Sequence, residues 1–130
     1  MGIVPLSARL ISGHWRKDKL TAGDFRAHSP RFQGTNVEAN LALVDALSKV
    51  AAAKNISVAQ VAIAWVARQG HDIIPLVGAR RRDRLAEALG SVDVTLTAND
   101  MTAIEFAVPK GAAAGSRYPS AAMADLDSER

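Results

Sequence analysis

The chain has no cysteine, so disulfide pairing, thiolate nucleophiles and cysteine-ligated metals are all excluded. The absence matches a reducing compartment, and a cytoplasmic location is the expectation. Aromatic residues are scarce at 5%, and the one tyrosine is Tyr118, close to the C-terminal end. No apolar run approaches the ~20 residues a membrane span requires. The opening residues also lack the apolar core of a secretory signal, so neither a leader nor a membrane anchor is expected. Charge of either sign is modest: the formal net charge is +3 and the sequence pI about 9.7. That balance suits a negatively charged ligand, nucleic acid included, without selecting one.

What is present is a globular composition of 48% apolar and 22% charged residues over 130 positions. A chain of that size is one domain or part of one, able to bury about two thirds of its unfolded surface. Charge is uneven. Arg9, Arg16, Lys17, Lys19, Arg26 and Arg31 outweigh Asp18 and Asp24 early on, while Asp125, Asp127 and Glu129 make the end acidic and read as a solvated terminus.

The most informative stretch runs from Asp72 to Leu89. Residues 73–77 form a short, nearly continuous apolar run, the pattern of a parallel strand buried on both faces. Gly78 and Ala79 follow as a small-residue turn, and Arg80, Arg81, Arg82, Asp83 and Arg84 open a helix with Leu85 and Leu89 as its inward positions. Strand, close turn, guanidinium groups and helix N-terminus in that order compose an anion site, because backbone N–H groups and planar forks both favour phosphate. The same residues also read as a merely solvated basic turn.

Elsewhere, residues 2–7 suggest a short strand ending at Pro5, and residues 8–34 a long, basic, irregular loop. Thr35 and Glu38 form a capping-box pattern ahead of a helix to about Lys54, with Val37, Leu41, Val44 and Leu47 as its stripe and Asn55 as its left-handed close. Ser57 and Gln60 open a second helix with Val58, Val61, Ala62 and Trp65 on one face, ended by Gly70. Thr97 and Asp100 open a last helix that turns Met101, Ile104 and Val108 inward and stops at Pro109. The run 111–115 is small and flexible by composition, and 116–130 shows no periodicity. The reading is therefore α/β, with a unit over 1–115 and an irregular tail over 116–130.

Other readings are weaker. The helix pair 35–54 and 57–69 before a basic stretch has the outline of a helix-turn-helix DNA reader, but the apolar run 73–77 and the placing of the arginines in a turn argue against it, and no nucleic-acid partner is expected. His14 and His28 match no metal-ligand spacing. Trp65 sits at core spacing with Val58 and Val61.

Several segments resemble the C-terminal part of the aldo-keto reductases. They are 24–26 (Asp-Phe-Arg), 30–33 (Pro-Arg-Phe-Gln), 40–44, 57–66, 74–75 (Ile-Pro), Gly78, 80–85, Glu87, 96–101 and 117–119 (Arg-Tyr-Pro). They stand in the family's order and spacing from about residue 2 onward. The resemblance implies NADPH-dependent carbonyl reduction on a (β/α)8 TIM barrel, of which this sequence matches the last two β–α units, with two parallel strands and four to five helices. Full-length members are roughly two to three times this long, so a truncated barrel is implied. Their Asp, Tyr, Lys and His catalytic set sits on earlier strands and loops, so no catalytic residue is assigned to this chain.

The resemblance further implies a cofactor half-site. Pro5, Leu6, Ser7 and Arg9 correspond to the loop that wraps the pyrophosphate. Gly78, Ala79, Arg80 and Arg84 correspond to the holder of the adenosine 2′-phosphate, with Glu87 near the adenine. The C-terminal ends of late barrel strands are common phosphate seats. The sequence departs from the family at Ala79, usually a hydroxyl residue, at Ala88, usually an adenine-binding asparagine, and near Ile3, usually an aromatic against the nicotinamide. Each departure removes a contact worth ~1 kcal/mol, or up to about tenfold in affinity. Sheet edges and apolar faces left bare by an incomplete barrel predict self-association or pairing with a complementary barrel fragment.

Overall fold

A computed structural model describes residues 23–123. The expected strand over 2–7 and the loop residues before 23 lie outside that range. Two 3-10 turns, Phe25–His28 and Pro30–Phe32, open the described part. Asp24 caps the first by accepting the backbone N–H of Arg26, and its carboxylate also pairs with the Arg26 guanidinium. Five helices follow: α1 (Gly34–Ala53), α2 (Val58–Ala67), α3 (Arg82–Leu89), α4 (Ala98–Ala107) and the four-residue α5 (Ser120–Met123). A further 3-10 turn, Gly90–Asp93, extends α3.

α1 is the axis of the structure. Its buried positions, Val37, Asn40, Val44, Leu47 and Ala51, recur at steps of three and four and lay one stripe along the helix. Near its start Val37 and Val44 pack with Phe32, and near its end Leu47 and Ala51 pack with Val61, Ala64, Leu96 and Ile104. α2 leaves α1 at 88°, so α2 and α4 both close on the second half of the stripe. Asn55, at φ 56, makes the left-handed turn between α1 and α2. Among the described residues no single helix is long and apolar enough to cross a membrane.

Local signals place two helix starts well. Ser57 and Gln60 form a reciprocal capping box, as do Thr97 and Asp100. The Asp100 carboxylate also receives Lys54 Nζ at 2.7 Å, tying the end of α1 to the start of α4. With the Lys54 ammonium and the two Thr97 donors on it, this carboxyl is pushed down to about 2.

Other expectations need correction. The Thr35–Glu38 capping box does not form: α1 begins one residue earlier, at Gly34, and its N-cap Gln33 makes no side-chain cap. The preceding 3-10 turn delivers the chain, and Asn36 N–H closes the first turn on the Gln33 carbonyl at 3.1 Å.

Among the described residues there is no strand, so the expected strand over 73–77 is instead a lone extended segment. A strand is defined by its ladder, and among the described residues no backbone pairs with this one. Its side chains still alternate: Ile73 and Pro75 are half-buried, while Ile74 and Leu76 are each 80% exposed. For the same reason Leu85 and Leu89, expected inward on α3, are largely exposed, since no described element covers them. Within the stretch expected to be irregular, the short helix α5 forms after Pro119.

Candidate functional site

The segment 78–87 carries the proposed phosphate chemistry, and the sequence explains how it is held. Pro75 disfavours helix in the approach, and Gly78, Ala79 and Arg80 follow as an exposed irregular stretch that bends at Arg80. Gly78 has open space where a Cβ would stand, so its lack of a side chain is not required by packing among the described residues. α3 starts at Arg82, with Arg81 as an N-cap that makes no side-chain cap. Its first turn therefore lacks the usual intramolecular acceptor from the capping side chain.

The arginines divide into two kinds. Arg81 folds onto Asp83, with Nε and Nη2 donating at 2.9 and 2.8 Å. That fork, joined by the Arg84 backbone N–H, lowers the Asp83 carboxyl below its ordinary value. Arg84 reaches one turn along α3 and donates from Nη1 to Glu87 Oε2 at 2.9 Å. Arg80 and Arg82 are exposed and form no ion pair among the described residues.

The helix start thus carries four guanidinium groups against two carboxylates, both already engaged, with only Asp83 favourable to the helix dipole in the first turn. Such a donor set fits an anion. It supplies N–H groups and positive charge, and its acceptors are spent.

Of the residues named from the sequence, the structure brings Arg84 and Glu87 into direct contact and places Gly78, Ala79 and Arg80 on the exposed stretch just before α3. Pro5, Leu6, Ser7 and Arg9 lie outside the described residues. The sequence reading passed over the Arg81–Asp83 pair. The i, i+2 spacing of opposite charges across a helix start was the available signal.

Behind α3 lies an open cleft of about 420 Å³ with apolar walls from Ala64, Ala67, Pro75, Val77, Leu85, Ala88, Leu89, Val92 and Val94, and Arg68 at its edge. Ala88, where the family resemblance expects asparagine, is part of that wall and offers only a methyl group.

Comparison with known proteins decides the lineage. Residues 1–108 match the sequence model of the aldo/keto reductase family. The chain belongs to that family. Its curated relatives include a Schizosaccharomyces pombe protein named aldo-keto reductase yakc (NADP(+)), 36% identical over 119 residues, which cover 91% of this chain and 35% of the relative. A protein of Glycine max named probable aldo-keto reductase 1 is 36% identical over 98 residues, covering 75% of this chain and 28% of the relative. The aldo/keto reductase chain described here therefore spans about a third of the length of the relatives it matches. No solved structure matches it.

Proposed function

We propose that this chain is the C-terminal, nucleotide-holding portion of an NADPH-dependent carbonyl reductase, with Arg80 and Arg84 on the adenosine 2′-phosphate and Glu87 beside the adenine. The carrying observation is the disposition of charge at the start of α3. Arg80 is exposed with no ion pair among the described residues, while Glu87 steadies Arg84 one turn further on. A guanidinium already oriented by a carboxylate loses less freedom when it takes a phosphate. The NADP(+) in the name of the S. pombe relative agrees with a 2′-phosphate ligand.

When bound, NADPH supplies the hydride for reducing an aldehyde or ketone. This chain's part is to hold the phosphate end, and Pro5, Leu6, Ser7 and Arg9 would extend that grip to the pyrophosphate. Tyr118 has the Arg117 guanidinium 5.3 Å over its ring and is assigned no proton-donor role. The chain by itself is therefore expected to bind the nucleotide weakly and to turn nothing over. Carbonyl reduction by the purified chain would contradict this assignment.

A second reading, a non-catalytic module that docks on another protein, draws on one observation: Ile74 and Leu76 are each 80% exposed on a segment with no strand partner among the described residues. The two readings join if the partner is the complementary part of a barrel. The test is a fluorescence titration with NADPH. Arg80→Ala combined with Arg84→Ala is expected to weaken binding about tenfold or more, since charge-assisted bonds are the strong ones. An unchanged titration, or no binding at millimolar NADPH, removes the half-site.

A further inference from the structure

Beyond α4 the chain doubles back onto the start of α1, and one buried side chain holds it there. Asn40 is 4% exposed, on the core stripe between Val37 and Val44. Its Oδ1 accepts the backbone N–H of Ala114 at 2.8 Å, and its Nδ2 donates to the carbonyls of Ala114 at 2.9 Å and Arg31 at 3.0 Å. The paired bonds to one residue set register as a strand partner would. Arg31 Nε adds a bond to the Gly115 carbonyl at 3.2 Å. Among the described residues, every hydrogen bond from 109–123 to the rest of the chain ends on Asn40 or Arg31.

Two glycines let this segment close. Gly111, at φ +79, turns the chain just after Pro109. Gly115, at φ +82, lies so close to the 3-10 turn that a Cβ would stand 2.8 Å from Asn36 Nδ2 and 2.9 Å from the Pro30 carbonyl oxygen. Between them stand three alanines, which bury little apolar area, so hydrogen bonds carry much of the hold on this stretch.

We propose that residues 109–118 are a strap whose main latch is Asn40, with Arg31 as a lesser tie. It opens as a local unit while the helices stay folded, and opening frees Arg117 and Tyr118 from their half-buried positions. A segment tied by few contacts sits at the low end of the local-stability range, whereas Val44 and Leu47 on α1 open only with the core.

Hydrogen exchange followed by mass spectrometry tests this on the intact chain, comparing 111–118 with 44–51. Asn40→Ala is expected to speed exchange in 111–118 about tenfold or more, the loss of at least one net hydrogen bond, and to leave 44–51 within about twofold. Gly115→Ala changes no residue of the buried stripe and meets α1 only at the Asn36 side chain, so it decides the matter if Asn40→Ala does not fold. It should give the same local acceleration. Unchanged exchange in 111–118 overturns the latch. So does equal acceleration in both peptides, which would make Asn40 a residue of general stability.

Discussion

Leu96 and Leu76 are the same residue type in opposite surroundings, and truncating each in turn tests the fold closely. Leu96 is 1% exposed and packs among Leu47, Val61 and Ile104, where α1, α2 and α4 converge. Removing three carbons there leaves a cavity walled by helices tied at both ends, so Leu96→Ala should cost about 3 kcal/mol. With a urea dependence of about 1.5 kcal/mol/M, the unfolding midpoint would fall by about 2 M. Leu76 is 80% exposed on the extended segment, so Leu76→Ala forfeits little buried area and should stay within about 0.5 kcal/mol. The assay is urea unfolding followed by far-ultraviolet circular dichroism. A Leu76→Ala cost equal to that of Leu96→Ala would refute the reasoning, because it would mean that 73–77 is a packed strand in the chain by itself.

Two further outcomes follow from the helix starts. Ser57→Ala removes the cap on the Gln60 N–H and strands one donor of α2, which should lower stability by about 1 kcal/mol in the same unfolding assay. Asp100 carries a pH signature. Its carboxyl is held at about 2 in the fold against an ordinary 3.8, so the unfolded chain takes up the proton first. The stability it contributes is complete above 3.8 and is lost as pH falls through about 2. Asp100→Asn should flatten the pH dependence of the unfolding midpoint in that window, and an unchanged slope would remove the Lys54–Asp100 link from the account.

Features that depend on a few neighbouring residues were readable from the sequence. The Ser57–Gln60 and Thr97–Asp100 boxes form as their spacing predicts, and Asn55 takes the left-handed close. The same pattern at Thr35 and Glu38 misled, because the incoming 3-10 turn sets where α1 begins, and a four-residue pattern does not contain that information. Residues 73–77 and α3 show the larger limit. Their apolar residues predict burial, and no described residue supplies the surface that would cover them. Asn40 was missed for the opposite reason: a search for apolar periodicity passes over a polar residue on the buried stripe, although a lone asparagine there is itself a signal. At the site, the run of arginines was plain in the sequence. That Arg81 and Arg84 are engaged by Asp83 and Glu87 while Arg80 and Arg82 stand exposed needed the geometry of the helix start.

Recognition of a 2′-phosphate by this helix start, as proposed, is read from the affinity ratio for NADPH over NADH. The two nucleotides differ only in that group. The unaltered chain is expected to bind NADPH about tenfold or more tightly than NADH, and the ratio should collapse toward one when Arg80 and Arg84 are alanine. Equal affinity for both nucleotides in the unaltered chain would contradict it.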